Sequence, residues 1–129
     1  MAEKFTQVNL GDVHDAAPEN GFGEVWEARV ARTALAAEQT GVSLFRLKPG
    51  RRSAFAHRHE QAEEVYVILR GEGRMKLDDH VINVHALDAI RVAPAVSRAF
   101  EAGAGGLEYL AVGPHRAKDG ELVADPWIG

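Results

Sequence analysis

The sequence predicts an all-β fold, an antiparallel sandwich or barrel. Three observations carry this: short runs rich in β-branched and aromatic residues recur from residue 42 onward, turn residues separate them roughly every 8 to 12 residues, and no segment is long enough for the crossover helices of a parallel sheet. The 129 residues fit one domain, which on folding buries roughly two thirds of the surface of the unfolded chain.

In chain order, residues 1–23 are turn-rich, with GD at 11 and AAPENGFG from 16, and read as an irregular arm or edge segment. Residues 24–40, EVWEARVARTALAAEQT, admit two readings, because the alanines favour helix while VWEARV suits a strand. The clear strand runs follow: VSLFRLK (42–48), SAFAHRH (53–59), EEVYVILR (63–70), RMKLD (74–78), VINVHA (81–86), AIRVA (89–93), SRAFEA (97–102) and LEYLAV (107–112). PGRR, GEG and DH supply turns between them. We therefore expect a single domain with an arm at 1–40 packed on the barrel, a core at 41–112 and a tail at 113–129 crossing the outside.

Composition excludes several classes. Fifteen Lys and Arg against nineteen Asp and Glu give a net charge of −4 with the signs scattered, so a nucleic-acid partner is not expected. No cysteine is present, which rules out disulfides, thiolate metal sites and cysteine nucleophiles and suits a reducing compartment. The opening MAEKFTQVNLGDV lacks the apolar stretch of a signal peptide, and no run approaches a membrane span. The expectation is a soluble, cytoplasmic protein without a membrane partner.

Of the six histidines, two stand one residue apart in HRHEQAEEVYVILRG (57–71). Successive strand side chains alternate faces, so His57 and His59 share one face while Arg58 points away. A short connection then brings the next strand back, with Glu63 or Glu64 near the imidazoles. Two imidazoles and a carboxylate form the 2-His-1-carboxylate set of non-haem iron, which also accepts manganese, nickel, cobalt or zinc. Tyr66 and Ile68 share the parity of Glu64 and face the same interior, with Phe45, Phe55, Met75 and Phe100 as wall or core residues.

With its glycines included, this stretch resembles the first motif of the cupin family: Gly50, His57, His59, Glu64 and Gly71, with a six-residue spacer after Gly50 where five is usual. Spacing assigns the family's glutamate to Glu64 rather than Glu63. The resemblance covers residues 42–112 and implies a small jelly-roll β-barrel, often a homodimer, with a metal in the barrel mouth. The second motif departs from the pattern: in LDAIRVAPAVSRAF, Leu87 and Ala95 replace its glycines, Ala93 its proline and Arg98 its histidine, the fourth metal ligand. A guanidinium has no lone pair to give a metal. At about 5 Å and an effective dielectric near 20, a divalent ion and Arg98 repel by roughly 7 kcal/mol, while Arg98 and Glu64 attract by about 4.

Two functions follow from that contest. One is a metal-dependent dioxygenase, isomerase or lyase acting on a small anionic or oxygenated molecule, with His57, His59 and Glu64 on the ion and Arg98 and Tyr66 toward substrate. The alternative is a metal-free or non-catalytic ligand-binding barrel in which Arg98 pairs with Glu64. A third reading is a structural dimer partner that uses the arm and Trp127. His14, His80, His85 and His115 read as surface residues, Ser43, Ser53 and Ser97 lack a nucleophile context, and GEG and GAGG (103–106) are turns rather than phosphate loops.

Overall fold

The computed structural model describes residues 4–123 and Trp127; Pro126 and the rest of the two termini lie outside the described residues. Eight strands form one curled antiparallel sheet: β1 (Trp26–Val30), β2 (Thr40–Leu47), β3 (Ala56–His59), β4 (Glu64–Leu77), β5 (His80–His85), β6 (Ala89–Val92), β7 (Arg98–Pro114) and β8 (Gly120–Val123). The all-β jelly-roll expectation holds. Among the described residues no helix is long and apolar enough to cross a membrane.

The strand count agrees with the sequence reading, but the strands are apportioned differently. Runs 63–70 and 74–78 are one strand, β4, and 97–102 joins 107–112 in β7. The glycines between them let the chain bend without ending the pairing. Gly71 has φ +85° and its missing Cβ would lie 2.2 Å from the Gly106 carbonyl oxygen, so β4 and β7 cross there at backbone contact. Two further strands come from the flanks. Residues 26–30 form β1 and 32–35 one short helical turn, α1, so both readings of 24–40 apply in part. Residues 120–123 form β8, which pairs along all of β3.

β7 organises the sheet. Its second half pairs with β2 on one side and β4 on the other, while Arg98 at its start pairs with His57 of β3 and Leu77 of β4. β4 in turn carries β5 and β6. The core lies inside this curl, where Tyr66, Ile68, Met75, Val84, Val92 and Phe100 are fully buried or nearly so; each such side chain contributes about 1.5–3 kcal/mol through removal from water. Aromatic contacts run without a break from Phe22 through Phe55, Trp26, Phe45, Tyr109 and Phe100 to Tyr66, at centroid separations of 4.0–5.7 Å. The arm folds back on the same barrel, with the Ala16 N–H donating to the Ala28 carbonyl at 2.9 Å and Ala17 buried.

Candidate metal centre

β3 and the start of β4 deliver the three donors. Alternation along β3 puts His57 and His59 on the inner face, with rings 5.1 Å apart and nearly perpendicular. Gln61 to Glu63 turn the chain, and Glu64 opens β4 opposite them. His57 Nε2 and His59 Nε2 each lie 3.2 Å from the same Glu64 oxygen, Oε1. The ligand atoms of all three residues fall within 4.8 Å of one another. Bonds of about 2.1 Å to one ion, at angles between 90° and 109°, put neighbouring ligand atoms about 3.0–3.4 Å apart. Both histidine–glutamate spacings fit a shared ion.

The two imidazoles differ in their partners. His57 Nε2 is hydrogen-bonded to Glu64 Oε1. His59 Nε2 is buried and makes no hydrogen bond among the described residues, since its approach to Glu64 lacks hydrogen-bond geometry. Its other nitrogen, Nδ1, lies 3.2 Å from Asp119 Oδ2. A carboxylate only accepts, so Nδ1 carries the proton and donates it. Asp119 is itself fixed by the N–H groups of Gln61 and Ala62 at 2.8 and 2.9 Å, which hold its carboxyl below the usual range against the opposing effect of burial. A histidine whose Nδ1–H is held by a carboxylate presents Nε2 in a fixed direction, the usual arrangement behind a metal ligand. A buried nitrogen without a hydrogen-bond partner suits a residue that gives its lone pair to a metal.

Arg98 forms the opposite wall. It is 1% exposed, and Nη1 donates to Glu64 Oε1 at 2.7 Å. Nε donates to the Val96 carbonyl, and Nη2 to those of Ala93 and Pro94, at 2.8–3.0 Å. The guanidinium therefore faces the interior, immobilised by the loop that precedes its strand. Tyr66, also buried, donates its hydroxyl to Glu64 Oε1 at 2.7 Å. Burial alone would raise the Glu64 carboxyl; hydrogen bonds from His57 and Tyr66 and the nearby imidazoles outweigh it and hold the group at about 2, and the adjacent guanidinium favours the carboxylate in the same direction. Burial and the Glu64 charge push the Tyr66 phenol well above its ordinary value, so it stays a donor.

Gly113 makes room for this. A Cβ there would stand 2.7 Å from the Glu63 carbonyl oxygen and 3.2 Å from Glu64 Cγ. Among the other histidines, His14 pairs with Glu19, His85 lies 3.7 Å from Asp88, and His80 is an exposed first residue of β5. Asp119 was missed by sequence reasoning. Its only local signal is the Asp119–Gly120 dipeptide, which reads as a turn; its contact with His59 spans 60 residues and depends on β8 pairing with β3.

Comparison with known proteins agrees with this geometry. A search of curated proteins finds no match. Solved structures resemble the chain over most of its length. A cupin protein from Bacteroides fragilis shares 23% identity over 91% of this chain and 89% of its own, with a TM-score of 0.72. The polyketide cyclase RemF from Streptomyces resistomycificus shares 22% over 95% and 89%, with a TM-score of 0.75. A sugar phosphate isomerase of the cupin superfamily from Silicibacter pomeroyi shares 17% over 93% and 83%, with a TM-score of 0.74. At these identities the likeness establishes the fold. The family model described as the cupin domain matches residues 43–113, more than half of the chain, and the chain belongs to the cupin family.

Proposed function

We propose that the barrel holds a divalent transition metal on His57, His59 and Glu64 and acts on a small organic molecule that carries oxygen or negative charge. The observation that supports this most is His59, whose buried Nε2 lacks a hydrogen-bond partner while Asp119 fixes its other nitrogen. Iron, manganese, nickel, cobalt and zinc all suit the donor set. Once bound, such an ion supplies Lewis acidity toward a substrate oxygen. The chain's own residues do the positioning. Tyr66 and Arg98 keep the Glu64 carboxylate charged and oriented, and the four hydrogen bonds of Arg98 leave one of its five N–H donors, on Nη1, for a substrate oxygen. Dioxygenase, isomerase and lyase chemistry are the reaction types in keeping with the family, and a homodimer is the assembly we propose. Sedimentation of the chain with and without residues 1–23 tests the assembly.

A second reading has its own support. The 2.7 Å Arg98–Glu64 contact is the ion pair expected of a metal-free barrel that only binds ligand. Metal content of protein purified without chelator, followed by calorimetric titration with each of the five ions, separates the two. About one ion per chain, lost in His59→Gln, supports the metal site. No uptake by the wild type, with uptake by Arg98→His, supports the metal-free barrel.

A further inference from the structure

The barrel interior changes character along its length. Facing residues line up in rows across β1, β2, β7 and β4: first Trp26, Leu47 and Leu107, then Ala28, Phe45, Tyr109 and Ile68, then Val30, Ser43, Ala111 and Tyr66. Gly41 pairs with Gly113 in the next row, beside Glu64. Along β2 and β7 the side chains thus shrink toward the His57–His59–Glu64 group, from Phe45 and Tyr109 through Ser43 and Ala111 to glycine on both strands.

The space this leaves has two compartments. One, of about 410 Å³, is almost wholly apolar and is lined by Phe22, Trp26, Phe45 and Phe55, with Val30 and the 68%-exposed Leu122 along it. The other, of about 190 Å³, is lined by Ser43, His59, Glu64 and Asp119 together with Arg32 and Arg116. Val30 belongs to both, so the compartments adjoin. Trp26, Phe45 and Phe55 also wall a narrow cavity of about 50 Å³ that leads to His57, Tyr66 and Arg98 and has room for water but not for a ring. Arg32 Nε is buried without a hydrogen-bond partner, and neither Arg32 nor Arg116 forms an ion pair among the described residues.

We infer that the ligand is a planar, mostly apolar acid. Its aromatic or conjugated ring lies in the trough of Phe22, Trp26 and Phe55, its carboxylate or enolate turns toward Arg32 and Arg116, and the atoms between them pass Val30 toward His59 and Glu64. Apolar walls favour a ring over a hydroxylated chain because they offer a sugar no hydrogen bonds. Two cations without an ion pair among the described residues favour an anion over a neutral phenol. A diacid as short as oxalate would leave the trough wet. The inference rests on the small-molecule role proposed above and names its substrate class; it does not require the metal.

The test is calorimetric titration of the full chain, chelator-treated and manganese-loaded, with 1-hydroxy-2-naphthoate, 2-naphthol, oxalate and glucose 6-phosphate. The naphthoate is expected to bind at least about tenfold more tightly than the other three. Replacing both arginines (Arg32→Ala with Arg116→Ala) should weaken the naphthoate about tenfold and leave 2-naphthol unchanged. Ala28→Phe fills the trough and should abolish naphthoate binding at unchanged metal content. Should that variant fold poorly, Leu122→Glu places a carboxylate at the exposed end of the trough and should repel the naphthoate instead. Tighter binding of oxalate or glucose 6-phosphate, absence of naphthoate binding, or indifference to the double arginine change would overturn the inference. Metal content measured on the same samples keeps the two proposals apart. Naphthoate binding without metal uptake removes the metal site alone, and metal uptake without naphthoate binding removes the substrate class alone.

Discussion

Segments 57–71 and 87–98 build opposite sides of one site, and they have kept different things. The first retains both the shape and the chemistry of its family motif, with His57, His59 and Glu64 converging on one point. The second departs from its motif: Arg98 stands where the motif's spacing has a histidine, its guanidinium aimed inward at the same Glu64 oxygen. The first segment should govern affinity for a metal, and the second should govern stability.

The largest expected effect breaks the second segment. Arg98→Met removes the cation from a buried pair and frees the carbonyls of Ala93, Pro94 and Val96. Urea unfolding should show a loss of about 3–5 kcal/mol, because the Glu64 carboxylate stays buried without its countercharge. Adding Glu64→Gln to the same chain should recover part of that loss. Metal affinity of the single variant should rise, since the ion no longer meets a fixed positive charge. A cost below about 1 kcal/mol would mean that the pair does not hold the site together.

Acid probes the same pair from the other partner. Glu64 titrates at about 2 in the folded chain against an ordinary value of 4.5. A depressed carboxyl stabilises fully above its unfolded value, and that stability is lost as pH falls through 4.5 toward 2. The gap corresponds to about 3 kcal/mol. Unfolding midpoints measured across this window should therefore fall more steeply for the wild type than for Glu64→Gln, which has no carboxyl to titrate.

For the first segment the matching test is Asp119→Asn, at the residue that holds His59 from outside the segment. The amide nitrogen can donate where the carboxylate accepted, which drives the proton of His59 from Nδ1 to Nε2 and blocks the donor. Metal affinity should fall about 10–100-fold. Because the change also disturbs the Ala62 N–H contact, the tautomer is read directly from the ¹⁵N shifts of His59 in metal-free protein. Unchanged shifts with unchanged affinity would show that Asp119 only ties β8 to the chain.

What the sequence made legible was local. Alternation along β3 and β4 suffices to bring His57, His59, Glu64, Tyr66 and Ile68 to one face, and motif spacing suffices to put Arg98 at the fourth ligand's position, while its inward orientation comes from the structure. Longer-range geometry was not legible. Asp119 joins His59 across 60 residues. GEG and GAGG look like hairpin turns, yet they are the glycines at which β4 and β7 bend over each other while still paired. A close backbone crossing and a tight turn call for the same residue, and only the partner strand tells them apart.

The smallest effect sharpens the comparison most directly, because it asks what the second segment's backbone still costs. Leu87 stands at a motif glycine and has φ +74°, in a turn closed by the Asp88 N–H to the His85 carbonyl at 3.0 Å. Such a turn places its third residue in the left-handed region, where a side chain with a Cβ is strained by roughly 1–2 kcal/mol. Leu87 is 83% exposed, so its side chain returns little through burial. Glycine would relieve the strain but add freedom to the unfolded chain, which takes back about 0.4–1 kcal/mol. Leu87→Gly should therefore stabilise by up to about 1 kcal/mol in urea unfolding, with metal content unchanged. Destabilisation instead would show that the leucine has acquired a packing role the isolated chain does not reveal, and that the second segment has diverged in shape as well as in chemistry.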